Sequence, residues 1–265
     1  MGIVIIGGGA MGRAMYDGWI NAGVPENSIA VADLNADLCC GSADFLLRDT
    51  GQSKMVVLAV KPQYVASVLE AHAQLLNPGD IVTSVAAGVR LTTLNGLVSD
   101  TVVVARAMPN LAVALNSGTI GIAIANGVSE AMVQNLTSVY DKLGKSFCID
   151  EQQIDSFTAI AGSGPAYFFQ FVEHLAANCA HLDIHQDIAD SIVTQVMVGA
   201  AAMLADTDLP GASELRNRVT SQEGTTEAGL KSLEANGVLS QLVKNCLIDA
   251  RERARELSEI EYRHG

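Results

Sequence analysis

Two stretches of the chain carry residue types and spacings that can do chemistry. Near the C-terminal end, residues 215–230 set four hydroxyls, Thr220, Ser221, Thr225 and Thr226, around Gly224. An apolar helical pattern then resumes through Leu230, Leu233, Leu239 and Leu242. Hydroxyls, a permissive glycine and free backbone N–H groups at a helix start make a pocket for a small carboxylate. The same residues also describe an ordinary Ser/Thr helix cap, and taken alone the stretch leaves both readings open.

The second stretch is Gly7-Gly8-Gly9-Ala10-Met11-Gly12, placed between a short apolar run and a helical pattern. Its Gly-x-Gly-x-x-Gly spacing suits a tight turn, close approach of backbone to a pyrophosphate, and close helix–strand packing. Asp33 falls where the second strand ends, 21 positions after Gly12. A carboxylate there hydrogen-bonds a ribose 2′-hydroxyl and repels a 2′-phosphate, which points to NAD. The sequence between Asp33 and Asp44 holds no Arg or Lys. An exposed Asp can also turn away and leave Asn35 or backbone amides to receive a phosphate, so NADP stays open. Two further loops leave strand ends, Ala59-Val60-Lys61-Pro62 and Val85-Ala86-Ala87-Gly88. They offer a cation with a rigid turn, and small residues for a flat ring; a surface lysine and plain close packing are the alternatives. Arg106, in Arg106–Asn110, reads as a strand-end structural cation.

These residues need a scaffold. Apolar runs at Gly2–Ile6, Ile29–Ala32, Lys54–Val60, Ile81–Val85, Thr101–Ala105 and Thr119–Ile124 alternate with helical patterns, predicting a parallel sheet covered on both faces. From about Ile154 only Ala/Leu/Met-rich helical patterns remain, with a Pro-started helix at Gly162–Tyr167. The expected division is residues 1–152 and 153–265. Ile192–Leu204 is apolar almost all round, which predicts burial against another subunit.

A net charge of −13 argues against nucleic acid and anionic membrane surfaces as partners. No apolar run reaches the roughly 20 residues of a membrane span. Five cysteines without CxxC or metal spacing read as reduced thiols in a soluble cytoplasmic protein that holds no metal, with Cys39 and Cys40 as small fillers.

With its motifs in order, the chain resembles the pyrroline-5-carboxylate reductases. The resemblance spans Gly7–Gly12, Val60-Lys61-Pro62, Ala86-Ala87-Gly88, Arg106-x-Met108-Pro109-Asn110, Gly162–Tyr167 and the hydroxyl-rich segment. It implies an N-terminal Rossmann-like domain followed by an all-α dimerisation domain, a homodimer, and in some members rings of dimers. The implied reaction is reduction of 1-pyrroline-5-carboxylate to L-proline by NADPH, with NADH also possible. The implied cofactor contacts are Gly7 to Gly12, Asp33, Ala59 to Pro62, and Val85, Ala86 and Ala87. Ser221, Gly224, Thr225 and Thr226 would hold the substrate, with Thr226 at the ring nitrogen, and Glu151, which matches an acidic position before the helical domain, would be a further substrate contact.

The chain departs from the family in three places. Gln222-Glu223 stands where Pro-Gly is usual, so the loop is expected to avoid positive φ there. Asp33-Leu34 replaces an Asp-Arg or Asn-Arg pair, and Gln195-Val196 replaces Gln-Thr. Two rival readings share the fold. One is a hydroxy-acid dehydrogenase, opposed by the lack of any lysine between Lys145 and Lys231. The other is a non-catalytic dinucleotide sensor.

Overall fold

The computed structural model describes residues 1–39 and 53–262, so Cys40 lies outside the described residues. The chain forms two compact units, residues 1–163 together with 249–265, and residues 164–248.

The first unit is built on a seven-stranded sheet. Its elements run β1 (Gly2–Ile6), α1 (Ala10–Asn21), β2 (Ile29–Ala32), β3 (Lys54–Leu58), α2 (Val65–His72), β4 (Ile81–Ser84), α3 (Leu91–Asn95), β5 (Val103–Met108), β6 (Gly118–Ile124), α4 (Glu130–Tyr140) and β7 (Gly144–Cys148). The strand order is β2-β1-β3-β4-β5-β6-β7. Both faces of the central strands are covered, which explains their unbroken apolar sequences. One face packs Ile3, Ile5, Met15, Trp19 and Tyr140; the other packs Val4, Leu58, Leu69, Val82 and Val104. The buried Tyr140 hydroxyl shares a 3.0 Å hydrogen bond with Thr83 Oγ1, and burial pushes its pKa above the usual phenol range.

Two features depart from the sequence reading. β6 runs antiparallel to β5, and β7 then runs parallel to β6. Residues 109–117 link β5 to β6, shorter than the dozen or so residues that a parallel crossover needs. β7, Gly-Lys-Ser-Phe-Cys, carries too few apolar residues to show as a strand run, because it is an edge strand.

After β7 the described elements are all helical. α5 (Ile154–Phe157) leads through a π-helical stretch, Thr158–Gly162, which no sequence pattern announced. The second unit holds α6 (Gly164–Asn178), α7 (Gln186–Ala205), α8 (Ala212–Arg218), α9 (Thr225–Leu233) and the start of α10 (Val238–Tyr262). Pro165 occupies the first turn of α6, where its missing N–H costs nothing. The small core of this unit is Ala176, Cys179, Ala189 and Val193.

α7 is mostly uncovered in the single chain, with Ile192 43% and Val196 62% exposed. An 18-residue window of this 20-residue helix has a mean hydropathy of 1.6, so by length and composition alone it could cross a membrane. Ser191, Thr194 and Gln195 interrupt its apolar run, while Ile, Val, Leu, Met and Ala keep the average high. Cys39 is exposed, and so is not the filler expected.

Candidate active site

The chains leaving the ends of β1, β3 and β4 remain paired one residue beyond each strand. Gly7 N–H donates to Ala32 O at 2.8 Å, Ala59 N–H to Ile6 O at 2.8 Å, and Val85 N–H to Leu58 O at 3.1 Å. This ladder brings Gly7–Gly12, Ala59–Pro62 and Val85–Gly88 together on the C-terminal edge of the sheet, where open α/β sheets bind ligands.

Within the glycine loop, Gly7 has φ 110°, and a Cβ there would stand 2.6 Å from the Ala59 carbonyl carbon. Gly9 caps α1 without a side-chain hydrogen bond, and a Cβ on it would meet nothing within 4 Å. Ala10, Met11 and Gly12 are the first residues of α1, so their N–H groups have no partner inside the helix. An open cradle of free amides at a positive helix end fits a pyrophosphate. Ala59, Val60 and Pro62 are half-buried and Lys61 is exposed; Ala86 is buried beneath an exposed Ala87. Asp33 follows β2 directly, and its Oδ2 accepts from Gly8 N–H at 2.7 Å while Oδ1 accepts from Asn35 N–H at 2.8 Å.

Glu151 sits apart from the hydroxyl-rich loop in sequence and belongs to the first unit. Its Oε1 accepts from Leu91 N–H at 2.7 Å and from Arg106 Nη1 at 3.0 Å. Arg106 is only 5% exposed. Its reading as a structural cation agrees with this ion pair. Asn110, given no role from sequence, donates through Nδ2 to Ala161 O at 2.9 Å and accepts at Oδ1 from Ala112 N–H at 3.2 Å. It ties the end of β5 to the π-helical stretch.

In the second unit, Gly224 is the N-cap of α9, and its N–H donates to Ser221 O at 3.1 Å. Ser221, Thr225 and Thr226 are exposed. The Thr225 and Thr226 amides open α9 with no partner inside the helix. Glu223 adopts φ 59°, contrary to the expectation that a residue with a side chain keeps this loop out of positive φ. Glu227 supplies the reason. Its Oε2 accepts from Glu223 N–H at 2.6 Å, and its Oε1 pairs with Lys231 at 2.9 Å. The Lys231 side chain and then the Glu223 amide hold the Glu227 carboxyl below its usual pKa. Glu227, the third residue of α9, thus reaches back past the Gly224 cap to the residue before it, a bond that the sequence reading passed over.

A family described as pyrroline-5-carboxylate reductase dimerisation matches residues 151–257, and one described as coenzyme F420-dependent NADP oxidoreductase matches residues 2–88. The pyrroline-5-carboxylate reductase of Pseudomonas aeruginosa is 34% identical, with 97% of each chain covered. The chain belongs to the pyrroline-5-carboxylate reductase family. The Methanosarcina acetivorans reductase is 33% identical over 97% of this chain and 98% of its own. Among solved structures, the Coxiella burnetii pyrroline-5-carboxylate reductase superposes with TM-score 0.84 at 31% identity, covering 96% of this chain and 97% of that one. The Plasmodium falciparum pyrroline carboxylate reductase, solved with NADP bound, gives 0.80 at 25% identity, covering 97% and 98%.

The dimerisation match contains α7, whose Ile192, Val196 and Val198 are exposed in the single chain. Membership in the family makes Glu223 instructive, because a reductase with glycine at that position carries no strain there. Glu223→Gly is expected to raise stability by about 1 kcal/mol, the lower part of the left-handed penalty, and to lift the unfolding midpoint by roughly 2–4 °C. Thermal unfolding of the two proteins side by side checks this; a lower midpoint in the variant removes the strain argument.

Proposed function

We propose that this chain reduces 1-pyrroline-5-carboxylate to L-proline, the last step of proline biosynthesis, with NAD(P)H as reductant. The observation that carries the reading is a pair of half-sites in one chain of this family: a free-amide glycine cradle and a hydroxyl-lined helix start. Bound NAD(P)H supplies the hydride that the imine carbon of the ring accepts. The amides after Gly9 hold the pyrophosphate, and Ala59–Pro62 with Val85, Ala86 and Ala87 line the nicotinamide side. Ser221, Gly224, Thr225 and Thr226 hold the substrate carboxylate through amides and hydroxyls, without an obligatory cation. Thr226 Oγ1 hydrogen-bonds the ring nitrogen, orients it, and passes it a proton drawn from water. Glu151 acts from its place beside Leu91 and Arg106, where it braces the segment that follows Gly88. The active form is a homodimer built through the helical region, able to assemble into rings of dimers, and its compartment is the cytoplasm.

The test follows NAD(P)H oxidation with 1-pyrroline-5-carboxylate, with a 2-keto acid as control, for wild type and Thr226→Ala. Turnover on the imine alone is expected, and the variant is expected to lose roughly 10- to 100-fold in kcat, the lower part of the range for proton-transfer groups. Turnover on the keto acid alone overturns the reading, and an unimpaired variant removes Thr226 from the mechanism.

A further inference from the structure

We infer that this chain selects NADH over NADPH, through an Asp33 carboxylate clamped at the rim of the glycine cradle and a turn after it that carries no cation. This rests on the reading of Gly7–Gly12 as the cofactor site, and it departs from the NADPH that the family resemblance implies.

The geometry decides whether Asp33 can step aside for a 2′-phosphate. Its two oxygens are held from opposite sides, Oδ2 by the Gly8 amide of the cradle and Oδ1 by the Asn35 amide of the following turn. Turning the side chain away breaks both bonds and strands the Gly8 N–H, on a residue that is itself buried. The turn is further closed by Cys39, whose Sγ accepts from Asp33 N–H at 3.4 Å, and by Leu38 N–H donating to Asn35 O at 3.0 Å. A Cβ on Gly8 would stand 2.6 Å from Leu38 Cβ, so the turn lies directly against the cradle. The Gly8 and Asn35 amides also hold the Asp33 carboxyl below its usual pKa, so it is ionised at neutral pH.

No residue of the described turn offsets that charge. Residues 33–39 contain Asp33 and Asp37 but no Lys or Arg, and Leu34, where the family usually has Arg, is fully exposed. Arg13, on the first turns of α1, is engaged with Asp17 at 3.0 Å and lies over the Tyr16 ring at 5.4 Å. A 2′-phosphate brings close to two negative charges to this rim, and repulsion at contact range costs about tenfold or more in binding. A 2′-hydroxyl instead donates a hydrogen bond to the same carboxylate.

The experiment separates recognition of the 2′ position from catalysis. ADP-ribose and 2′-phospho-ADP-ribose, which lack the nicotinamide, are titrated calorimetrically into the full chain, into Asp33→Asn and into Leu34→Arg. Wild type is expected to bind ADP-ribose at least ~10-fold more tightly. Asp33→Asn, which removes charge with little change of shape, and Leu34→Arg, which adds a cation, are each expected to shrink that ratio severalfold. The kcat/KM ratio for NADH over NADPH is expected to follow the same order. Equal or tighter wild-type binding of the 2′-phosphorylated ligand overturns the inference, as does an unchanged ratio in Asp33→Asn. Reduction of 1-pyrroline-5-carboxylate with NADPH preferred defeats the inference and leaves the reductase reading standing. The expected binding order without turnover on either cofactor does the reverse.

Discussion

Gly12→Ala is expected to lower affinity for either nicotinamide nucleotide roughly 100-fold and to destabilise the fold by about 3 kcal/mol, the upper part of the usual cost of overpacking. Gly12 lies on the first turn of α1, and a Cβ there would overlap the Gly7 carbonyl oxygen and stand 3.3 Å from Ile5 Cγ2. The offended neighbour is backbone, so it cannot rotate away. Either α1 lifts from β1, or Gly7 moves, and Gly7 is already pressed against Ala59 at φ 110°. Both adjustments redirect the amides of Ala10 and Met11. At 1.4 kcal/mol per decade, two decades of affinity correspond to about 3 kcal/mol, the size of the reorganisation. Gly9→Ala is the companion. Open space around Gly9 leaves only the cost of alanine at an N-cap, about 0.5–1 kcal/mol, yet its methyl would occupy the cradle, so affinity falls far more than stability. Calorimetric titration with NADH and thermal unfolding read the two effects separately. Gly12→Ala with wild-type affinity would show that the third glycine does not shape the cradle.

The parts of this molecule that sequence disclosed are those whose physics is local. Gly7–Gly12 between an apolar run and a helical pattern needs no distant partner to be recognised, and Asp33 falls at the end of β2 as its spacing predicts. The hidden parts are those that depend on partners far along the chain or on chain direction. Glu151 could be singled out by position, but its bonds to Leu91 and Arg106, 60 and 45 residues away, could not be read from sequence. The reversal at β6 follows from a short connection, not from any property of the strand. Glu223 shows a third kind of limit. Its side chain argued against positive φ, yet Glu227, four residues on, holds its amide and makes that backbone state available. The clamp on Asp33 is similar: the residue was visible, and its bond to Gly8, 25 residues away, was not.

The largest loss of stability is expected from Asp80→Ala, about 3–5 kcal/mol, the usual cost of removing one partner of a buried ion pair. Asp80 and Lys54 are 0% and 4% exposed at their side chains, with Nζ 2.7 Å from Oδ2. The same carboxylate accepts from Lys54 N–H at 2.9 Å and from Asn77 N–H at 2.8 Å, tying the start of β3 to the turn that enters β4. Alanine leaves an ammonium without its counter-charge and two amides without acceptors. Asp80→Asn, which retains an acceptor but not the charge, is expected to fall between wild type and Asp80→Ala. Unfolding midpoints should drop by roughly 10 °C or more for Asp80→Ala. The pair lies at the N-terminal ends of β3 and β4, while Gly7, Ala59 and Val85 lie at the C-terminal ends. Turnover of Asp80→Ala assayed below its transition should therefore match wild type within about twofold, because surviving folded molecules keep the cradle intact. A kcat that falls together with the midpoint would mean that the two edges of the sheet do not behave independently.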